Sequence, residues 1–174
     1  VRYKLVEVTL IDKMGSDLTV VNAARVSFGK NKEVFEASDE KLISFLAKHN
    51  HWSPFAHCSV QFRIKAPIFV ARQLVKHQVG LSWNEISRRY VDYEPEYYMP
   101  TNWRLRAEDK KQGSSSETIE YNIANTIKNA NTTYNDMLAK GIAPELARMV
   151  LPQNMMTEWY WSGTLYAFAR VCEL

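Results

Sequence analysis

The sequence predicts an α+β fold that forms a single domain over residues 1–174. A chain of 174 residues with 46% hydrophobic composition can bury one core, and no linker or internal repeat divides it. Residues 58–65 alternate apolar and polar side chains, which is typical of a half-buried strand. Residues 38–50 and 118–139 repeat apolar side chains at helical intervals, so strands and helices are expected in the same chain.

The first eighty residues are predicted to form two strands and three helices. Asp17 suits the N-cap of the first helix, and Pro67 suits the first position of the third. Gly80 can end that third helix, whose last turns would carry Lys76 and His77. In order, the predicted elements are a strand with one bulge at 1–10, a helix from Asp17 to about Ser27, a helix at 38–50, a strand at 58–65 and a helix from Pro67 to about His77.

The second half is predicted to be mostly helical, with stops at Gly141 and Pro152. Its polar, serine-rich part has the composition of a surface loop. In order, the predicted elements are an extended segment at 90–100, a mobile surface loop at 107–117, a helix at 118–139, and two helices at 144–151 and 153–174 separated by a break.

Composition and charge argue against several classes of protein. The 22 Lys and Arg against 19 Asp and Glu give a net charge of +3, which is too small to indicate nucleic-acid binding. Cys58 and Cys172 lack the spacing of a disulfide framework or a metal site, and both are interpreted as structural. No segment has the roughly 18 apolar residues of a membrane span, and no signal peptide is visible. We therefore expect a cytoplasmic protein that binds no metal, nucleic acid or membrane.

Polar and charged side chains are concentrated between Arg72 and Arg89. A ligand with a phosphate and a planar base needs cations, hydroxyls, and amide or carboxylate groups. The segment supplies all three kinds, in Lys76, Arg88 and Arg89, in Ser82 and Ser87, and in Gln73, Asn84 and Glu85. The alternative interpretation is a solvated loop whose acids and bases pair with one another. From the residues alone, an anion-binding loop and such a surface are equally good explanations.

The sequence KHQVGLSWNEISRRY at 76–90 resembles the signature of flavin-dependent thymidylate synthases. In that family an Arg-His-Arg triplet precedes Ser-x-Asn-Glu-x-Ser-x-Arg-Tyr, which SWNEISRRY matches closely. The triplet reads Lys76, His77 and Gln78 here, and one extra residue precedes Ser82. Four more segments resemble family blocks in the same order: AARVSF at 23–28, HWSPFAH at 51–57, KAPIFVARQ at 65–73 and ARMVLP at 147–152.

The resemblance implies a fold, a reaction and a set of ligands. The family fold is a mainly antiparallel sheet flanked by helices. Its members methylate dUMP to dTMP with methylenetetrahydrofolate as carbon donor, FAD as the hydride-delivering cofactor and NADPH as reductant. The protein therefore has to hold flat ligands in register, and no protein nucleophile is required. Family members are homotetramers with active sites shared between subunits, so the same assembly is expected here.

The family motifs imply site residues at the matching positions of this chain. The catalytic candidates are Ser87 and Arg89, with Ser87 expected to orient the base rather than attack it. The FAD candidates are Ser27, His51, Ser53, Lys76, His77, Gln78, Asn84, Glu85, Thr164, Tyr166 and Arg170. The dUMP candidates are Gln73, Lys76, Glu85, Ser87, Arg88, Arg89 and Arg148, with Arg89 and Arg148 as charged clamps.

The carboxyl-terminal segment departs from the family pattern. Where the family has Asn, Arg and Asn for flavin, this chain has Thr164, Tyr166 and Arg170. The family's dUMP-activating Arg would follow Leu174, and the chain is expected to be trimmed, since it starts at Val1 and its last helix has no stop signal. These departures motivate a second hypothesis, a flavin- or nucleotide-binding homologue with weak or no turnover.

Structural explanations and one other function compete with these site predictions. Ser27 is also suited to capping a helix end, His51 and His77 to being ordinary polar histidines, and Arg148 to a surface salt bridge. A third hypothesis is a single-stranded nucleic-acid binder, which the modest net charge disfavours. Its stacking platforms would be Trp83, Tyr90, Tyr93, Tyr97 and Tyr98.

Overall fold

Eight strands and six α-helices are formed by residues 1–109, 111 and 113–173, the part of the chain that the computed structural model describes. The strands are β1 (Arg2–Tyr3), β2 (Glu7–Met14), β3 (Ser59–Pro67), β4 (Leu81–Glu85), β5 (Glu96–Tyr97), β6 (Trp103–Arg106), β7 (Ser114–Ile119) and β8 (Met156–Thr164). The α-helices are α1 (Asp17–Arg25), α2 (Ala37–Lys48), α3 (Ile68–Leu74), α4 (Ala124–Ala139), α5 (Pro144–Ala147) and α6 (Leu165–Cys172). Short 3₁₀ helices lie at Val26–Phe28, Ser53–His57 and Arg148–Val150.

By its contacts the chain divides into two compact units, each built from separate stretches of sequence. Unit 1 comprises Val1–Val6, Ala66–Ala71 and Ile86–Thr157. Unit 2 comprises Glu7–Lys65, Arg72–Glu85 and Glu158–Leu174. The single domain expected over 1–174 stays a prediction, and each unit is described by itself.

A four-stranded sheet in the order β2-β3-β8-β4 organises unit 2. The strands β2 and β3 are antiparallel, with Glu7 opposite Lys65, and a register shift lies between Leu10 and Asp12. The strands β4 and β8 are also antiparallel, with Leu81 opposite Gly163. The predicted α+β class, with a mainly antiparallel sheet flanked by helices, is therefore confirmed.

Two apolar clusters hold the helices of unit 2 in place. One, around the buried side chains of Val20, Leu46 and Cys58, joins α1, α2 and the 3₁₀ helix Ser53–His57. In the other, the Phe168 ring of α6 lies edge-on to Phe62 at 5.3 Å between centroids and to Trp161 at 5.0 Å. Such aromatic pairs add to the free energy gained by burial, so α6 is packed firmly on the sheet.

Cys58 behaves as a structural residue. It lies immediately before β3 rather than within that strand, which corrects the predicted position. Its thiol is 3.5 Å from the carbonyl oxygen of Ser16, and burial raises the pKa of the thiol. A buried thiol with a raised pKa is a poor nucleophile, in agreement with the prediction.

Unit 1 combines short strand pairs with α4. The strands β1 and β5 pair in parallel, and β6 and β7 form an antiparallel pair. Tyr97, Ile127 and Met155 form the buried cluster of this unit. The Tyr97 hydroxyl donates a hydrogen bond to Oδ1 of Asn131 over 3.0 Å, and burial raises the pKa of Tyr97 to about 12. Tyr97, one of the rings proposed to stack on nucleic-acid bases, is therefore fully buried inside the unit.

The sequence interpretation is wrong for the first part of 153–174, which was expected to be helical. That part forms β8, and only Leu165–Cys172 is helical. Trp159 and Trp161 are 1% and 4% exposed, whereas Tyr160 between them is 44% exposed. This alternation is that of a strand, and the Trp and Tyr side chains of the segment also favour strands.

Four other predicted elements are shifted or replaced, because strand pairing overrides local pattern. The predicted strand at 1–10 is two strands, β1 and β2, which pair with different partners. The helix predicted at 118–139 begins only at Ala124, because Ser114–Ile119 pairs with β6. That pairing also replaces the end of the loop expected at 107–117, in which Lys110 and Gln112 lie outside the described residues. The helix expected to run from Pro67 to His77 covers only Ile68–Leu74, and Pro67 ends β3.

A buried carboxylate fixes the segment between α1 and α2. Asp39 is fully buried, and Nη2 of Arg25 and Nζ of Lys32 lie 2.9 Å and 2.7 Å from its oxygens. The backbone of Lys32 is held in turn by the Asn22 side chain, which both accepts from and donates to it. The hydrogen bond from Lys32 lowers the pKa of Asp39 to about 2, against the effect of burial.

Candidate active site

The eleven residues predicted to contact FAD all lie within the residue ranges of unit 2. The seven predicted dUMP residues are divided between the units. Gln73, Lys76 and Glu85 belong to unit 2, and Ser87, Arg88, Arg89 and Arg148 belong to unit 1. The unit 2 residues come from the three separate stretches of sequence that form this unit, 7–65, 72–85 and 158–174.

A cleft in unit 2 brings together predicted FAD residues from two of these stretches. His51 lines it from the segment after α2, and Tyr166 and Arg170 line it from α6. The space between its walls, part of which is open to solvent, is about 490 Å³. The remaining walls are formed by Leu46, Ala47, Asn50, Trp52, Phe55, Leu165, Ala169 and Glu173.

The cleft is lined by both aromatic and charged side chains. The rings of Trp52 and Tyr166 have centroids 5.8 Å apart, and the ring of His51 lies 5.9 Å from Phe45. Arg170 is exposed, with Nη1 3.7 Å from a carboxylate oxygen of Glu173. An exposed pair of this kind is weak, so an anionic ligand can compete for the guanidinium. The cleft can therefore accept a flat ring and an attached phosphate.

The start of α6 is set by Thr164, a predicted FAD contact. Its hydroxyl oxygen accepts a hydrogen bond from the backbone N–H of Ala167 over 3.1 Å, which makes it an N-cap. Its own backbone N–H donates to the carbonyl oxygen of Gly80 over 3.2 Å. Thr164 thus orients the helix that carries Tyr166 and Arg170 and ties it to the turn before β4.

Lys76, His77 and Gln78 follow α3 instead of lying in its last turns. The turn Gln78–Leu81 is closed by a 3.2 Å hydrogen bond, and Gly80 takes a φ of 75° that favours glycine. Lys76 and Gln78 are exposed and His77 is half-buried. The triplet therefore occupies a connection between helix and strand, where cationic and amide groups are available to a ligand.

The core of the signature forms a strand, β4, and not the loop that the sequence interpretation assumed. Side chains alternate along a strand, so Ser82 and Asn84 project from one face and Trp83 and Glu85 from the other. Nε1 of Trp83 donates a hydrogen bond to Oε2 of Glu85 over 3.2 Å. The two predicted FAD contacts of this strand, Asn84 and Glu85, thus point in opposite directions.

Two adjacent arginines of unit 1 have different environments. Arg88 is buried, donates a hydrogen bond to the carbonyl oxygen of Tyr93, and lies over the Tyr93 ring at 4.7 Å. Arg89 is exposed and lies over the ring of Tyr90 at 5.1 Å. Arg88 therefore has a structural task, whereas Arg89 presents its charge at the surface. Sequence reasoning assigned both to dUMP and gave the role of charged clamp to Arg89, but it did not predict that Arg88 is buried.

The other predicted unit 1 residues have partial structural explanations. The Ser87 hydroxyl accepts a hydrogen bond from the backbone N–H of Arg89 over 3.3 Å, which stabilises the turn after β4. Arg148 is exposed, and its Nε donates to the carbonyl oxygen of Glu145 over 3.3 Å. The structure gives this backbone contact in place of the side-chain salt bridge weighed as an alternative for Arg148. Both side chains remain accessible to a ligand.

Ser27 and Ser53 do not line the cleft described above. The Ser27 hydroxyl donates to the carbonyl oxygen of Ala24 over 3.2 Å at the end of α1, so the capping explanation describes its contact. Ser53 is exposed at the start of a 3₁₀ helix.

Cys172 is exposed on α6. Over residues 1–109, 111 and 113–173, no group of three or more His, Cys, Asp or Glu side chains could hold a metal ion, and no helix is long and apolar enough to cross a membrane.

Sequence reasoning assigned neither of two tryptophans to the flavin or dUMP site, although each contacts a residue predicted there. Trp52 lies between two predicted residues, His51 and Ser53, and lines the cleft beside Tyr166. Trp83 lies inside the signature and bonds to Glu85. Both lie within the motifs quoted above, and this position is the sequence signal that could have identified them as site residues.

Residues 9–174 match the family described as thymidylate synthase complementing protein. The chain is 45% identical to a flavin-dependent thymidylate synthase of Kosmotoga olearia, over 89% of this chain and 70% of that protein. It is 39% identical to such an enzyme of Thermosipho africanus, over 92% and 74% of the two chains. It is 41% identical to a flavin-dependent thymidylate synthase of Thermus thermophilus, over 91% of this chain and 60% of that protein. The chain spans only part of the length of each of these relatives.

Solved structures of one enzyme are also similar to this chain. The UMP/dUMP methylase PolB of Streptomyces cacaoi bound with 5-Br dUMP has a TM-score of 0.86 and 33% identity, covering 99% of this chain and 79% of that one. The same methylase bound with 5-Br UMP has a TM-score of 0.78 and 31% identity, covering 99% and 77%.

Proposed function

The chain belongs to the thymidylate synthase complementing protein family, and from this premise we propose that it methylates dUMP to dTMP. Methylenetetrahydrofolate is the carbon donor, and FAD with NADPH provides the reductant. Bound FAD supplies hydride to the substrate carbon. The protein then has to bind the ligands, align them and polarise the uracil, none of which requires a nucleophilic side chain.

The observation that carries this proposal is the aromatic cleft of unit 2. A flavin dinucleotide has flat rings and a negatively charged diphosphate. The rings of Trp52 and Tyr166 suit the flat rings of the ligand, and Arg170 suits its diphosphate. His51 adds a ring nitrogen for hydrogen bonding. These residues fit one part of FAD and would hold that part. Another part of FAD would contact the exposed Lys76 and Gln78 and the half-buried His77.

For dUMP, the proposal assigns different tasks to the predicted residues. Arg89 and Arg148 are exposed cations suited to phosphate or to a uracil carbonyl oxygen. Gln73, Lys76 and Glu85 would fix the base and the sugar by hydrogen bonds. Ser87 would orient the reacting base through its hydroxyl. Arg88 supports the turn on which Ser87 and Arg89 lie, because its guanidinium is held by Tyr93.

We also propose a homotetrameric assembly with active sites shared between subunits. Exposed apolar side chains support this, since each is costly to leave in water. In unit 2, Val26, Phe28 and Val34 are 71%, 77% and 69% exposed. A partner subunit that covers them would remove this cost.

The test is a product assay with the purified chain, dUMP, methylenetetrahydrofolate, NADPH and FAD, in which formation of dTMP is measured by chromatography. We expect dTMP to form only when all four small molecules are present. A chain that binds dUMP and FAD by calorimetry but makes no dTMP would support the binding-homologue hypothesis instead. A chain that binds neither would contradict both.

A pair of arginine variants makes the assay specific. Arg89→Ala should weaken dUMP binding by about tenfold or more, as expected when a hydrogen bond to a charged group is lost. Arg2→Ala removes an exposed arginine of the same unit that no site prediction includes. It should leave the affinity unchanged, and equal effects of the two substitutions would remove Arg89 from the site.

A further inference from the structure

One hydrogen bond within β4 connects a residue that the proposed function does not use to one that it does. The donor is the indole Nε1–H of Trp83, and the acceptor is Oε2 of Glu85, 3.2 Å away on the same face of the strand. Glu85 is exposed and is a proposed ligand contact. A carboxylate that accepts an N–H is held more strongly than a neutral acceptor would be.

The Trp83 ring is itself fixed by the core of unit 2. It stacks on Trp159 with centroids 4.4 Å apart and an angle of 18° between the planes. It also meets Trp161 at 5.7 Å and 73°. Trp159 is 1% exposed, so this stack is anchored to a buried residue. Because the ring cannot turn without breaking both contacts, the direction of its N–H is fixed.

We propose that Trp83 is a positioning residue, whose indole N–H holds the Glu85 carboxylate in the orientation that accepts a hydrogen bond from bound dUMP or FAD. This inference rests on the proposed function, which makes Glu85 a ligand contact. An exposed glutamate loses side-chain freedom when a ligand orders it, and that loss weakens binding. The bond from Trp83 restricts the side chain beforehand, so less freedom is lost when the ligand arrives.

The principal test is Trp83→Phe, which keeps an aromatic ring against Trp159 but has no N–H. We expect it to weaken the affinity for dUMP or for FAD by about fivefold, each titrated separately by calorimetry. In the product assay, KM for the affected ligand should rise while kcat changes little, because the interaction acts on binding. Unchanged affinity for both ligands would overturn the inference.

Trp161→Phe is the matched control. It removes the same volume from the same aromatic cluster, but among the described residues Nε1 of Trp161 has no hydrogen-bond partner. We expect a lower melting temperature and unchanged ligand affinity. If Trp161→Phe weakens binding as much as Trp83→Phe, packing and not positioning explains the effect, and the inference is wrong.

A double-mutant cycle separates action through Glu85 from any direct effect of Trp83. In the Glu85→Ala background, Trp83→Phe should cause no further loss of affinity, because the group that Trp83 positions is gone. Additive losses would contradict the inference. Absence of dTMP and of ligand binding in the unaltered chain would instead refute the proposed function, so the two failures are distinguishable.

Discussion

Asp39 illustrates how one buried charge can define the path of a loop. Its two oxygens are neutralised by Arg25 at the end of α1 and by Lys32 in the middle of the loop that follows. The backbone N–H of Glu36 donates to it as well, over 3.0 Å. A buried carboxylate without these partners would be strongly unfavourable, so the loop has to return to Asp39.

Asp39→Asn should therefore destabilise the chain, because it leaves Arg25 and Lys32 facing a neutral group. We expect the melting temperature to fall by roughly 5–15 °C at pH 7, measured by circular dichroism. Lys32→Met, which removes one partner and leaves Arg25, should cause a smaller fall. An unchanged melting temperature for Asp39→Asn would show that the ion pairs contribute nothing to stability.

The ion pair of Asp39 with Lys32 also predicts how the stability of the chain depends on pH. The pKa of Asp39 is lowered to about 2 from an ordinary value of 3.8. Its contribution to stability is therefore complete above about pH 4 and is lost as the pH falls toward 2. The pKa of Lys32 is raised by its hydrogen bonds to Asp39 and Glu36, so its contribution is complete below pH 10.5 and declines above it. The difference in melting temperature between the unaltered chain and Asp39→Asn should shrink toward pH 2, and a constant difference would contradict this.

At the scale of elements, the junction of β8 and α6 is held close to the turn before β4. A Cβ placed on Gly163 would lie 2.3 Å from the carbonyl oxygen of Gly80 and 2.5 Å from Cδ2 of Leu81. No side chain larger than hydrogen fits at this position without displacing backbone. The turn that follows the triplet and the start of α6 are therefore packed as one piece.

Gly163→Ala should consequently destabilise unit 2 by steric conflict. We expect a loss of about 1–3 kcal/mol, with weaker FAD binding because the turn after Gln78 is displaced. Gly141→Ala is the control, since its φ of 78° is strained for alanine but a Cβ there meets nothing within 4 Å. Denaturant unfolding and FAD titration measure both effects, and unchanged FAD affinity in a destabilised Gly163→Ala would show that the turn and the flavin site are independent.

The elements also show how far sequence patterns reach. The strand β3 and the helices α2 and α4 follow from local periodicity, because each has one buried face of its own. The strands β4 and β8 do not, since their identity depends on pairing with each other across seventy residues of chain. In the site, three residues that motif resemblance selected from separate segments, His51, Tyr166 and Arg170, line one cleft, and their contact with flavin stays a prediction. Motif resemblance could not show that Arg88 is buried while Arg89 is exposed, because burial is decided by Tyr93 and the fold around it.

At the scale of the whole molecule, the exposed apolar surface predicts association. Light scattering coupled to size exclusion should give a mass four times the 20.2 kDa of the chain. Phe28→Ser, at a side chain that is 77% exposed, should reduce this mass while leaving the circular dichroism spectrum unchanged. Leu5→Ser, at a side chain that is 69% exposed in unit 1, is the comparison. A monomeric unaltered chain at micromolar concentration would refute the tetramer.

The strand geometry of β4 limits which insertions and deletions a lineage of such sequences can accept. In a strand with a two-residue repeat, adding one residue after Ser82 would exchange the faces of Asn84 and Glu85. One added before it, in the turn Gln78–Leu81, changes only the length of a connection. The extra residue between the triplet and Ser82 lies before the strand, in the part of the chain where an insertion changes no side-chain direction. Length variation in relatives is expected to accumulate there, while SWNE itself keeps its spacing.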